Sequence, residues 1–515
     1  MTRRQNMCIS RITRSLVAVI AAALLSMIFV VASVATETPA STYCVTDHGA
    51  VADGKTLNTA SLQKTIDACA AGGGGTVHFP AGRYLTGTLF LRDRVTLHLD
   101  AGSVILGSTE LKDYPPRTPA FRSYANINYV DKSLIYAERV HDVAIIGRGV
   151  IDGQGGAKTF LKQPYKKRPF LIRMIECKNV ALRDITLQNS SMWVQHYLGC
   201  ENLLIDGITV HSLVNKNNDG IDIDSCDRVR IANCDIVAED DAIVLKSTTP
   251  RPCRRVTITN CTLSSQCQAL KLGTESVGGF EDITISNCVV YDTRLSGIAL
   301  ISVDGGKLER VLITNITMVN TRSAIFIRLG NRARPYLATY LPKRPGESVG
   351  TVVVEEGMKL PGVGSLRNVI ISNVTATGVD KTGCAIAGLR GHPVENITLE
   401  NIRITFAGGG GPELVDRAVP EQEELYPEYT MFGALPAYGF YCRHVRNLRF
   451  ENVFLDYEQP EHRPALVCDD VDGLRLDGFE AKSPVKGCST RMIDVSNLRD
   501  LDHLEENVER TVEER

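Results

Sequence analysis

From about Val95 to Pro484 the chain repeats one phrase, and the repeat decides what it can fold into. Apolar and polar residues alternate for a short stretch, break at Asn, Asp or Gly, and resume. Cys177 to Ile185, Cys200 to Ile208, Cys226 to Cys234, Cys253 to Cys261 and Phe280 to Cys288 spell it most plainly. Leu308 to Ile316, Leu366 to Val374, Val394 to Ile402, Val445 to Val453 and Val471 to Phe479 continue it. Alternation with a period of two is a strand signal. No helical pattern lies between the strands, so βαβ units are excluded, and propeller blades need longer repeats of four strands each. Coils of about 23 to 28 residues with three short strands predict an all-β solenoid, the parallel β-helix.

In such a solenoid, residues at one phase of successive coils stack. Cys234, Cys261 and Cys288 are 27 apart each time, so these cysteines read as small buried apolar side chains rather than disulfide partners. Cys44 and Cys69 lie outside the repeats, and a bridge between them is left open. Asn233, Asn260, Asn287 and Asn315 share another phase and predict an internal asparagine ladder at a turn. The ends of a solenoid need covering. Asn58 to Ala71 has helical spacing, precedes the first strands, and reads as a short N-terminal capping helix ended by Gly72 to Gly75. The expected organisation is one β-helix domain over 36–498, with loops projecting at about 331–365 and 408–440. A charged tail over 499–515 would be frayed or a short terminal helix.

The 515 residues, 43% hydrophobic with net charge −2, describe a soluble protein with a large core and no electrostatic footprint for nucleic acid. Arg3, Arg4, Arg11 and Arg14, the apolar run Leu16 to Val31 and the small residues Ala32 to Ala35 read as a secretory signal, residues 1–35, cleaved after Ala35. The alternative is an uncleaved anchor, since the run approaches the ~20 residues that span a bilayer. The expectation is a secreted or periplasmic monomer without membrane attachment after cleavage.

Aligning coils by their apolar pattern places Asp219-Gly-Ile-Asp222, Asp241-Ala-Ile-Val244, Gln268-Ala-Leu-Lys271 and Ser296-Gly-Ile-Ala299 in register. Stacked strands lie ~4.8 Å apart. Asp219, Asp241 and Gln268 then form one column, Asp222 and Lys271 belong to another, and Asp224 falls beside Lys246 as an ion pair between rungs. A lone Asp is usually a turn residue. Clustered carboxylates, by contrast, raise the pKa of at least one member, which is how an acid and a base are held together at one pH. Asp240 and Asp241 are adjacent, so both can line a cleft only where the backbone turns.

The Asn217-Asn218-Asp219-Gly220-Ile221-Asp222 and Asp240-Asp241 motifs, their spacing and the rung pattern resemble glycoside hydrolase family 28, the polygalacturonase family of pectin-degrading enzymes. Asp47 to Lys55 and Ile151 to Gly155 also resemble that group, and the likeness covers roughly residues 43 to 485. The resemblance implies a right-handed β-helix and hydrolysis with inversion. It makes Asp240 the general acid, gives Asp219 and Asp241 the activation of water, and implies neither a metal nor an organic cofactor. A polysaccharide or oligosaccharide is then the partner.

Where polygalacturonases have Gly-His-Gly this chain has Cys267-Gln268-Ala269, and Ala299-Leu300-Ile301 replaces their Arg-Ile-Lys. Both changes remove cations that would grip a uronate. Lys271 or Arg328 could replace them or be ordinary paired cations. A different pectic linkage, such as one in rhamnogalacturonan, fits at least as well as homogalacturonan. Trp193 and His196 fall on the rung before Asp219, where Trp193 could stack a sugar or pack in the core. The aromatics Tyr426, Tyr429, Phe432, Tyr438, Phe440 and Tyr441 could wall a subsite or pack their loop. Two other functions stay open, a polysaccharide lyase and a non-catalytic glycan-binding solenoid. The absence of Arg or Lys from the Asp219–Asp241 cluster argues against the lyase.

Overall fold

A computed structural model describes residues 41–123, 131–336, 339–340, 352–353, 360–499 and 508–511. The chain divides into two units, Met1–Ser41 and Thr42–Arg515. The signal-segment reading over 1–35 lies outside the described residues. No helix among the described residues is long and apolar enough to cross a membrane.

The second unit is the parallel β-helix that the repeat predicts. Each coil contributes one strand to each of three parallel sheets. The first sheet stacks Lys178–Arg183, Glu201–Asp206, Asp227–Ala232 and Cys253–Thr259. The second stacks Thr186–Gln188, Thr209–Ser212, Asp235–Ala238 and Thr262–Ser265. The third stacks Phe170–Ile175, Gln195–Leu198, Ile221–Asp224, Ile243–Ser247 and Leu270–Ser276. Further along, the strands of one coil merge into long runs, Phe280–Ser302 and Lys307–Leu329.

The register explains the repeat. Val180, Leu203, Val229, Val256, Ile283 and Val311 follow one another rung by rung and are all buried. Each contributes roughly 1.5–3 kcal/mol by leaving water, and a slip of one residue would turn the whole column outward. Cys234, Cys261 and Cys288 are buried as expected. All fourteen described cysteines are free thiols, Cys44 and Cys69 included, so the open question of their bridge is answered in the negative.

The asparagine ladder is present but stands on the outside. Asn260 donates to Asn233 (3.3 Å), Asn315 to Asn287 (3.0 Å), Asn373 to Asn315 (3.1 Å) and Asn401 to Asn373 (3.0 Å), all exposed. Each has φ between 54° and 58°, so asparagine recurs because it tolerates the left-handed turn between the first and second sheets.

The solenoid begins earlier than the repeat suggests, at Thr42–Cys44 paired with Gly75–Phe79. The capping helix, Thr59–Ala71, therefore follows two strands instead of preceding them all. In the charged C-terminal segment, Val508–Thr511 is a strand parallel to Thr490–Ser496 rather than a helix.

Of the two loops, 409–439 folds back onto the solenoid. Tyr429, Met431, Phe432 and Leu435 pack on Ala299, Ile301 and Phe326 of the third sheet. Arg328 is buried inside this contact, donating to the carbonyls of Gly388 (2.9 Å) and Glu421 (2.8 Å) with Phe432 below it. It is a loop anchor, and its expected part in gripping substrate is not supported by its position.

Candidate active site

The aspartates converge where the chain enters the third sheet. Asp219 lies just before Ile221–Asp224, and Asp240-Asp241 form the turn between Asp235–Ala238 and Ile243–Ser247. The pairings Ile221↔Ile243 and Ile243↔Leu270 carry Asp219, Asp241 and Gln268 into the expected column. Gly220 N donates to Asp241 O (2.8 Å) and Ala242 N to Gln268 O (2.8 Å), locking the rungs together. A Cβ on Gly220 would lie 2.5 Å from Ala242 O and 2.8 Å from Ile236 Cγ2, so only glycine lets these rungs approach. The asparagines of the motif are structural. Asn218 bonds Met192 O and Ser212 Oγ, while Arg168 holds Asn217 Oδ1 at 2.8 Å.

Asp219, Asp240 and Asp241 line a recess of about 160 Å³ together with Lys246, Lys271, Trp193, Tyr165 and Tyr426. Asp241 accepts from Lys271 Nζ at 2.9 Å and from Gln268 N at 3.3 Å. Half-buried Asp240 accepts from Asp241 N at 3.0 Å, as the turn requires for both side chains to face one recess. Lys246 Nζ stands 3.7 Å from Asp219, 3.5 Å from Asp222 and 3.6 Å from Glu275, over the Trp193 ring at 4.6 Å. Among the described residues, Asp240, Asp241 and Cys267 offer ligand atoms within 4.8 Å of one another, as do His78, His98 and Asp100 on the first sheet.

Asp219, Asp222, Asp240, Asp241, Glu275 and Glu428 share this region with Lys246 and Lys271, so the carboxylates cannot all ionise together. Burial, then Asp240 and Asp222, pushes Asp219 well above the usual carboxylate range against the pull of Lys246. Burial and then Asp241 raise Asp240, with Lys271 and the Cys267 thiol opposing. Burial works against Glu275 ionising, but Lys246 and Arg332 outweigh it and hold that carboxyl down to about 2. Burial and like charge thus raise Asp219 and Asp240 alike, while a buried ammonium, Lys271, stands beside Asp241.

Several expectations need correction. Asp224 pairs with Lys246 in register, yet its carboxylate accepts from Thr248 N (2.9 Å) and Thr248 Oγ1 (2.6 Å), leaving Lys246 to Asp219 and Asp222. His196 does not reach the recess: it is fully buried, stacked on Phe170, and burial lowers its pKa to about 4. Gln268 is also buried, its backbone N–H donating to Asp241 and its side-chain amide to Glu428. Trp193 does line the recess, although only 4% exposed. Lys246 and Lys271 stand among the aspartates, so the sequence argument against elimination does not hold. Of the loop aromatics that could wall a subsite or pack the loop, Tyr426 lines the recess, while sequence reading missed Glu428, whose loop carries no periodic signal. Glu428 accepts from Gln268 Nε2 at 3.0 Å, and burial raises its pKa to about 7.

The model of Glycosyl hydrolases family 28 matches residues 69–417. The chain belongs to this family. Among its curated relatives are a probable polygalacturonase of Vitis vinifera, 37% identical over 39% of this chain and 43% of that one. An exo-poly-alpha-D-galacturonosidase of Dickeya chrysanthemi is 26% identical over 39% of this chain and 41% of its own. The match thus spans less than half the length of these two relatives. Among solved structures, a hyperthermoactive exopolygalacturonase from Thermotoga maritima superposes with TM-score 0.59 at 22% identity, covering 81% of this chain and 92% of that one. At that identity the likeness speaks for the family 28 fold alone.

Proposed function

We propose that the chain is an exported inverting glycoside hydrolase acting on a pectic or related acidic polysaccharide, with a rhamnogalacturonan-type linkage as the finer reading. The observation that carries it is the convergence of Asp219, Asp240 and Asp241 on one recess with Lys246 and Lys271, where burial and Asp241 push the Asp240 carboxyl upward. Asp240 gives its proton to the leaving glycosidic oxygen. Asp219 and Asp241 orient water on the opposite face of the sugar and take its proton. Lys246 opposes the burial that raises Asp219, and Lys271 stands 2.9 Å from Asp241. Asp240→Asn keeps the shape and removes the proton, and should cut reducing-end release by about 10²–10⁴-fold. Undiminished release in that variant overturns the reading.

Elimination is the second reading, since Lys246 and Lys271 stand among the aspartates. It leaves a conjugated double bond, so product absorbance in the ultraviolet separates the two reactions. Anomer-resolved NMR of fresh product tests inversion, and N-terminal sequencing of exported protein tests cleavage after Ala35.

A further inference from the structure

The loop 409–439 does more than pack on the third sheet. While Tyr429 and Phe432 fasten it over Ala299 and Ile301, the stretch just before them reaches the recess. Tyr426, 45% exposed as a residue, lines the recess, and its hydroxyl accepts from Thr274 Oγ1 at 3.1 Å. Lys271 Nζ and Arg332 lie 6.0 Å and 5.9 Å from the ring centroid. A large ring left this open, yet tied by its hydroxyl, offers an amphipathic face of the sort that stacks on a sugar. Glu428 is placed beside Gln268, 160 residues away in the chain. Its carboxylate interacts electrostatically with Lys271, Asp241, Asp240, Cys267 and Tyr426.

The cations that line the recess are already engaged. Lys271 holds Asp241, and Lys246 holds Asp219, Asp222 and Glu275. A substrate carboxylate entering beside Glu428 would meet three carboxyl groups and one committed ammonium. Sugar hydroxyls, as donors, would meet acceptors.

We propose that Tyr426 and Glu428 form a sugar subsite next to Asp240-Asp241, with Glu428 accepting hydroxyl hydrogen bonds and selecting an uncharged pyranose over a uronate at that position. This rests on the reading of the recess as a glycan-cleaving site, but it concerns binding and is measured without turnover. Glu428 also titrates near neutrality, so discrimination against a uronate strengthens as pH rises through about 7.

The test is calorimetry on the Asp240→Asn protein, with oligogalacturonides and their carboxyl-reduced counterparts as probes. The reduced oligosaccharide should bind at least about tenfold tighter at pH 8 than the native one, the order expected for a hydrogen bond to a charged group. Adding Glu428→Gln, which can still accept from Gln268 and so keeps the loop, should remove most of that preference and its pH dependence. Tyr426→Ala should weaken both ligands alike. Equal affinity for the two probes, binding of neither, or a preference unchanged in Glu428→Gln overturns the proposal. Failure of hydrolysis alone would leave these binding results standing and would overturn only the catalytic reading.

Discussion

Lys271 Nζ lies 2.9 Å from Asp241 Oδ2 in the adjacent rung, with both side chains almost wholly buried. Burial opposes the ammonium, but Asp241, together with Tyr426, Glu428 and Cys267, outweighs it and raises the Lys271 pKa. The pair sets the charge of the whole recess, because Asp240 shares the same turn as Asp241.

Replacing Lys271 with Met should therefore do two things. Breaking a buried pair from one side destabilises by about 3–5 kcal/mol, readable in urea unfolding. The cation that lowers the Asp240 pKa is also lost, so Asp240 stays protonated to higher pH and the alkaline limb of the activity profile moves upward. A variant with an unmoved profile would show that Lys271 does not serve Asp240.

Glu428 should make stability depend on pH. Its pKa is raised from 4.5 to about 7 in the folded chain. Below about 4.5 it is protonated folded or unfolded and contributes no slope. As pH rises towards 7 the unfolded form ionises first, so stability falls through that window and levels off above it. The Tm difference between wild type and Glu428→Gln, followed from pH 4 to 8, should shift in favour of the variant by the upper end. A constant difference would place the carboxylate in ordinary water.

Gly220→Ala puts a methyl against Ala242 O and Ile236. The rungs must part, at a cost of about 1–3 kcal/mol, and Asp219 moves with them. Both Tm and kcat should drop, whereas a Tm loss with unchanged kcat would show that Asp219 keeps its place.

Asn315→Ala addresses the external ladder. It loses the bonds to Asn287 and Asn373 and forces alanine to φ 56°, costing about 1–2 kcal/mol. Asn315→Gly keeps the turn and should recover most of the loss. Activity per folded molecule should be unchanged in both, since the turn lies between the first two sheets.

The column Asp219–Asp241–Gln268 was legible because coils of near-constant length repeat a backbone register that neighbouring residues already encode. The ladder was legible in phase but not in face, since asparagine suits an inward amide stack and an outward left-handed turn equally well. Lys246 shows the limit of register reasoning. Its strand partner is Asp224, yet its long side chain reaches Asp219, Asp222 and Glu275 instead.

By itself the sequence determined the solenoid, its buried columns and the rung that bears the three aspartates, because each follows from a short period repeated along the chain. Only the tertiary structure decided which cations serve those aspartates, that Arg328 anchors a loop, that Tyr426 lines the recess and that Glu428 reaches Gln268. The physical reason is that side-chain reach and the return path of an irregular loop depend on the packing of distant surfaces, here residues 160 positions apart, and no periodic pattern records such contacts.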